Sequence, residues 1–295
     1  MAQRAVYAVL VALGVSVPAP VREAEDRAIE RVGKLGGTVE RDEARPGKPV
    51  VRVTLDGIKV TEADLRALAP LQHLTALSLR QTGITSAELK ELAPFRNLTE
   101  LDLCGTRVTD EGLPELAGLV NLTRLDLGET QVTDAGLKHL TALKKLTTLS
   151  LTETRLTGVC LNDLCALKDL TELRLYGTNV TDEAVKELAG LRNLTQIYLG
   201  ATQVTDASVK ILARHAALTH LELGATRVTD AGLKDLAPLK ALTHLGLRST
   251  DVTDAGLKDI TALKTLRLLV VHRSGITADG VKALLKALPG CQVVR

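Results

Sequence analysis

A frame of 24 residues governs this chain from residue 50 to 289. Residues 74–97 read LTALSLRQTGITSAELKELAPFRN, and residues 98–121 read LTELDLCGTRVTDEGLPELAGLVN. The frame restarts at Leu122, Leu146, Leu170, Leu194, Leu218, Leu242 and Leu266, and a weaker copy opens at Val50. That makes ten copies with no insertion or deletion. A unit this short cannot bury its own apolar faces, so the copies must stack and share one continuous core.

Each unit changes its hydrophobic period halfway. The segment LTxLxL sets apolar residues at positions 4 and 6, the spacing of one strand face. The second half sets them at 16, 19 and 22, as in Leu137, Leu140 and Leu143, which is helical spacing. Thr occupies position 12 in every copy, from Thr61 to Thr277, and Asp often follows, as in Thr133-Asp134. This predicts a hydroxyl N-cap, with the carboxylate favoured by the positive end of the helix. Position 9 is Thr from Thr82 to Thr250 and Ser at Ser274. Turned inward, these hydroxyls need partners, and a ladder to the backbone of neighbouring turns is expected. The unit is therefore strand, turn, helix, turn, and the fold class is α/β.

The shared pattern LTxLxLxxTxVTDxxLKxLAxLxx resembles that of leucine-rich-repeat proteins, in which Asn usually holds position 9. The unit length and the DxxLKxLAxL segment are most similar to GALA-type repeats of bacterial proteins and to the repeat region of F-box proteins. The resemblance implies a right-handed solenoid forming an open arc, with a concave parallel β-sheet and α-helices on the convex side. It further implies a protein-binding module with no cofactor, and it raises a second reading, substrate recognition within an F-box ubiquitin-ligase assembly. Residues 1–49 are too short and too polar to supply an F-box, so a second chain would have to carry it.

Outside the repeats, residues 1–20 hold Arg4, an apolar run from Ala5 to Val17, and VPAP. They resemble a short signal peptide, with Pro20 unfavourable after the cut, and the run is too short for a comfortable membrane span. Export to the periplasm or envelope follows if this segment is a signal, and a cytoplasmic location if it is not. Residues 21–49 read as a cap and connector: Ala28, Val32 and Leu35 share a helical face, Gly36-Gly37 ends the helix, and Thr38 to Arg41 suits a short strand. Residues 290–295 return to strand frame and are expected to close the C-terminal edge.

The 37 basic and 35 acidic residues give a net charge of +2, with no bulk attraction to nucleic acid or anionic membrane. Base-stacking platforms need aromatic rings, and the chain holds only Phe95, Tyr7, Tyr176 and Tyr198. Cys104, Cys160, Cys165 and Cys291 show no metal-ligand spacing, and Cys160 and Cys165 suit a disulfide poorly. Asn97, Asn121 and Asn193 open Asn-Leu-Thr sequons that arise from the repeat pattern itself. No nucleophile elbow or phosphate loop is present in the sequence, and an enzyme is not expected.

Strand positions 3, 5 and 7 alternate with the leucines and face the concave side. Packing does not dictate them, so function is sought there. Three clusters emerge. Glu100, Asp102 and Asp126 form an acidic patch beside Arg124; Glu172, Arg174, Tyr176, Gln196 and Tyr198 form a central aromatic-basic patch; His220, Glu222, His244, Arg248 and His272 form a polar patch. Tyr and Arg are favoured interface anchors, so the tyrosine pair is the leading candidate contact. His220, Glu222 and His244 carry metal-ligand types, but a flat surface without supporting groups argues against a metal. Leu268 and Val270 are expected to pack against the chain end, and His215 to be half buried with a local hydrogen bond. The expected molecule is a monomer that binds a protein or peptide on its concave face, with a structural spacer as a third reading.

Overall fold

The computed structural model describes residues 19–295. One sheet of twelve strands runs in chain order without crossovers. β1 (Thr38–Arg41) pairs antiparallel with β2 (Val50–Thr54). All later pairs are parallel: β3 (Ala76–Ser78), β4 (Glu100–Asp102), β5 (Arg124–Asp126), β6 (Thr148–Ser150), β7 (Glu172–Arg174), β8 (Gln196–Tyr198), β9 (His220–Glu222), β10 (His244–Gly246), β11 (Leu268–Val270) and β12 (Gln292–Val294). Register is the repeat frame itself, since Arg52 faces Ala76, Ala76 faces Glu100, and Glu100 faces Arg124. The sheet is open, with β1 and β12 at its edges, and the helical segments lie on the other side of the core.

The position-4 and position-6 residues, from Val53 and Leu55 to Leu269 and Val271, are all at most 2% exposed. The helical apolar residues meet them from behind, as Leu137, Leu140 and Leu143 do at 0% exposure. Truncating any one of these leucines would cost about 2–5 kcal/mol.

Two hydroxyl systems lock the concave half. The position-9 hydroxyls are buried as expected, but they bond within their own turn. Thr82 Oγ1 donates to the Leu79 carbonyl at 2.6 Å, and Thr106, Thr130, Thr154, Thr178, Thr202, Thr226 and Thr250 repeat this three-residue bond. The reason is the residue before them. Position 8 takes positive φ in every full repeat, from Gln81 (+57°) to Arg273 (+58°), and turns the hydroxyl back on its own strand. The inter-repeat ladder is made instead at position 2, where Thr99 Oγ1 donates to the Thr75 carbonyl at 3.1 Å, Thr123 to Thr99, and so on to Thr243.

The convex layer is only partly α-helical. Ser86–Leu92, Asp110–Gly118, Asp134–Ala142 and Leu161–Ala166 are 3₁₀, whereas Glu62–Ala67, Asp182–Glu187, Asp206–Leu212, Asp254–Ile260 and Ala278–Ala287 are α. Pro114 lacks the donor that a regular α-turn would use. A 3₁₀ turn also rises about 2.0 Å per residue against 1.5 Å, so a short segment reaches farther toward the next strand.

Position 12 caps as expected at Thr61, Thr85, Thr133, Thr205, Thr229, Thr253 and Thr277, but not at Thr109 or Thr181, nor at Thr157, whose helix starts late with Cys160 at its N-cap. The following Asp does more than complement a dipole. Asp206 accepts both the backbone N–H (2.8 Å) and the hydroxyl (2.7 Å) of Thr229, one repeat on. Asp110, Asp134, Asp182, Asp230 and Asp254 do the same for Thr133, Thr157, Thr205, Thr253 and Thr277. The carboxylate needs space at position 15 of the receiving repeat: a Cβ at Gly136 would stand 2.4 Å from Asp110 Oδ1, and one at Gly232 2.4 Å from Asp206 Oδ1. In the two N-terminal repeats, position 15 is instead Asp64 or Glu88, which caps its own Thr.

At the N-terminal end, α1 (Ala19–Leu35) buries Ala28 and Val32 on the first repeat and ends at Gly36, φ +88°. Arg31 pairs with the buried Asp64 carboxylate across that junction. The apolar run from Ala5 to Val17 lies outside the described residues. The sequon asparagines are structural: the amides of Asn97, Asn121 and Asn193 donate to the Gln72, Arg96 and Lys168 carbonyls of the preceding repeat at 2.8–2.9 Å. All four cysteines are free. Among the described residues, no helix is long and apolar enough to cross a membrane.

Candidate functional site

The concave face follows from the strand register. Strands spaced about 4.8 Å apart stack positions 3, 5 and 7 into three columns across the sheet, and three regions differ in chemistry.

Toward the N-terminal end lies a polar groove of about 220 Å³, lined in part by Arg52, Glu100, Asp102, Arg124 and Asp126. Glu100 does not pair with Arg124, its register neighbour. It takes Arg52 Nη2 at 2.7 Å, over the small Ala76 between them. The Arg124 side chain is left exposed, with no hydrogen bond or ion pair of its own among the described residues. Asp102 and Asp126 each accept the backbone N–H two residues on, from Cys104 at 2.9 Å and Gly128 at 2.8 Å. Burial, with Asp126 alongside, raises the Asp102 carboxyl above its usual range against the pull of the Cys104 N–H.

One grouping here was not read from the sequence. Donor atoms of Asp102, Cys104 and Asp126 lie within 4.8 Å of one another. Burial and the carboxylates of Asp126, Glu129 and Asp102 push the Cys104 thiol up to about 12, which keeps it protonated and a poor ligand. The histidines with Glu222 do not form such a group.

The central patch is partly assembled. Arg174 Nε and Nη2 both reach Glu172 Oε1 at 2.6 Å, and the Arg174 guanidinium lies 5.2 Å from the Tyr198 ring centroid. The Tyr198 hydroxyl donates to Gln196 Oε1 at 3.0 Å. Burial raises the Tyr198 phenol, helped by the Glu172 charge. Tyr176 stands apart from this cluster. Its ring packs beside Gly200, where a Cβ would meet Cδ2 at 2.8 Å, and it makes no ring contact with Tyr198. At 40% exposure it is, with Val294 of β12, one of two exposed large hydrophobic side chains on this face among the described residues.

Toward the C-terminal end, His220 and His244 stack with centroids 4.0 Å apart and planes at 11°. Each Nδ1 lies 2.8 Å from the hydroxyl of the preceding Thr, Thr219 or Thr243. Those hydroxyls donate onward to the Thr195 and Thr219 carbonyls, so the network assigns the proton to Nδ1 and leaves Nε2 an acceptor. Glu222 accepts the Gly224 N–H at 2.9 Å. Leu268 and Val270 pair with β12 but remain half exposed, lining a pocket of about 180 Å³ with Tyr198, Glu222 and Gly246. The expected packing against the chain end is met by the backbone pairing alone; the signal in the sequence that both side chains face a cavity is Gly246, which has no side chain between Glu222 and Val270.

His215 lies outside the face. It is buried, and its Nε2 meets the Leu188 carbonyl of the preceding repeat at 3.4 Å, a partner 27 residues away.

The leucine-rich-repeat family model matches residues 96–117 and 119–140. No curated protein sequence matches the chain. Among solved structures, an internalin (inlF) from Listeria monocytogenes is 19% identical, covers 94% of this chain and 97% of its own, and superposes with a TM-score of 0.50. Internalin C2 from the same organism is 23% identical over 79% of this chain and 98% of its own, TM-score 0.57. The Arabidopsis receptor kinase HAESA, in complex with the peptide hormone IDA and the co-receptor SERK1, is 18% identical over 85% of this chain, TM-score 0.62, and this chain spans 46% of it. With the repeat frame, the open sheet and its helical backing, these matches show that the chain carries leucine-rich repeats and has the leucine-rich-repeat fold.

Proposed function

We propose that this protein is a non-catalytic binding module that holds a protein or peptide partner on its concave sheet. The carrying observation is the contrast between two side-chain sets. The leucines of the repeat frame are consumed by packing, and nearly all its threonines at positions 2, 9 and 12 are consumed by bonds within their own turn or to the neighbouring repeat. The columns at positions 3, 5 and 7 hold Arg124, Arg174, Tyr176 and Tyr198, which the fold does not require and which remain accessible. Aromatic and Arg residues near the centre of a surface are the usual energetic anchors of protein interfaces. A similar arc, HAESA, is seen with a bound peptide hormone, which supports the reading.

The test is affinity purification with wild type beside a Tyr176→Ala/Tyr198→Ala variant. The expected result is a partner retained by wild type and weakened at least about 30-fold in the variant, as for an anchor worth about 2 kcal/mol. A partner unaffected by any concave substitution, and lost only on changing the convex helices, would overturn it. The same purification reads the F-box alternative, which requires a second chain bearing that domain. Sequencing the mature N-terminus reads the export proposal.

A further inference from the structure

The pocket near the C-terminal end of the sheet has a polarity that the other concave regions lack. Its floor is Gly246, where a Cβ would overlap the Glu222 carboxylate; a Cβ at Gly224 would stand 2.7 Å from Glu222 Oε1. Two glycines therefore let one carboxylate lie flat against the sheet. On one side stand Leu268 and Val270, on the other the Tyr198 ring and the stacked imidazoles. The volume of about 180 Å³ falls below the range of about 300–1,000 Å³ for whole small-molecule sites, and suits one side chain.

Glu222 makes no ion pair among the described residues. Its carboxylate accepts the Gly224 N–H, and Arg248 acts on it only through space. The other long acidic side chains on this face are matched: Glu100 has Arg52, and Glu172 has Arg174. Burial raises the Glu222 carboxyl, against the pull of the Gly224 N–H and Arg248, and a cation brought into contact with it would oppose that shift. Burial also lowers His220, with His244 adding to it, which favours a neutral ring next to the pocket. Flat rings and a carboxylate together suit a guanidinium, which stacks and forks its donors, better than an ammonium.

We propose that the notch at Gly246 is a subsite for one arginine side chain of a polypeptide partner, with Glu222 receiving the guanidinium and Tyr198 and the His220–His244 stack flanking it. This rests on the concave-face reading, and names the chemistry of one contact within it. Arg248 and His272 are the other basic groups near the C-terminal end of the face, and they set an upper limit on the attraction.

The test uses the full chain, isotope-labelled, titrated with N-acetyl-arginine N-methylamide and separately with its citrulline and lysine analogues. Expected are saturable shifts at the Gly246 and Val270 amides, with citrulline about tenfold weaker, as for loss of one charge-assisted pair. Glu222→Gln should abolish the preference for arginine over citrulline while leaving the rest of the spectrum in place. Gly246→Ala, which displaces the carboxylate, should weaken the arginine probe equally. Equal binding of citrulline, shifts confined to the Asp102–Asp126 groove, or no shifts at all would overturn the subsite, and equal binding of lysine would overturn its assignment to a planar cation. If the notch fails while a captured partner still depends on Tyr176 and Tyr198, the binding face stands without it. If a partner ignores the whole face, the module reading falls whatever the probe does.

Discussion

His215 shows how far one substitution departs from the frame. Other full repeats except the last place Leu or Phe at its position, and the fold accepts the imidazole by burying it with Nδ1 unpartnered. Burial lowers its pKa from 6.5. A depressed folded-state value means that the unfolded chain binds the proton first, so the neutral ring's full contribution is present above about pH 6.5 and is lost as pH falls from there through the folded value. His215→Leu should therefore stabilise the protein by about 1 kcal/mol at neutral pH, by removing an unsatisfied polar atom, and by more at pH 5. Urea midpoints for both chains from pH 8 to 5 check this; curves that stay parallel would show that His215 does not carry the dependence. The imidazole's burial was legible from its position, but its partner was not, because the Leu188 carbonyl belongs to another repeat.

At the scale of the element, the convex edge is held by carboxylates that reach forward. Asp206 takes two donors from Thr229, and Gly232 leaves it room. Asp206→Ala should cost about 1–2 kcal/mol, with Thr229→Ala about 1, and the double variant less than their sum because both act on one network. Denaturant melts of the four chains measure the coupling; additive losses would mean that the bonds are not formed together. Sequence reading found the cap Thr and the Asp and assigned both to one helix start. It missed the forward reach because spacing along a chain does not say which repeat a side chain turns to. It likewise read 3₁₀ segments as α, since Leu113 and Leu116 suit either helix over so short a run. The turn before the cap is legible, but its left-handed residue at position 8 is not, for another reason. Only Gly57, Gly105 and Gly177 mark it with the residue that positive φ prefers, while Glu129 or Ala201 holds the same conformation unannounced.

Over the whole molecule, each repeat touches its neighbours, so stability is a sum of local and nearest-neighbour terms, and the ends matter most. β12 covers the last repeat through the Val271 N–H to Val294 carbonyl and Gln292 N–H to Arg267 carbonyl bonds, with Cys291 buried behind them. Deleting residues 290–295 should cost roughly 2–4 kcal/mol from lost bonds and exposed apolar surface. Hydrogen exchange should show protection falling from β11 inward and unchanged at β4 to β6; uniform loss would show that the arc melts as one unit. The arc and its inner columns were legible before any coordinates, because a period of 24 leaves one way to stack. The contents of the columns were legible only as a roster. That Arg52 passes over Ala76 to Glu100, that Tyr176 stands apart from Tyr198, and that Gly246 opens a notch are facts of side-chain length and rotamer, which a period does not encode.

The forward-reaching carboxylates and the position-2 threonines make the junctions that follow Asp110, Asp134, Asp182, Asp206, Asp230 and Asp254 chemically alike. Were residues 122–145 removed and Asn121 joined to Leu146, Asp110 would meet Thr157 as it now meets Thr133, and the Thr99 carbonyl would receive Thr147 in place of Thr123. No bond of the frame would lack a counterpart. Copy number is thus a free variable of this architecture: in-frame duplication or loss of a coding unit lengthens or shortens the inner face by one strand, about 4.8 Å, and moves whole rows of contact residues past a partner while leaving the scaffold's joints as they were.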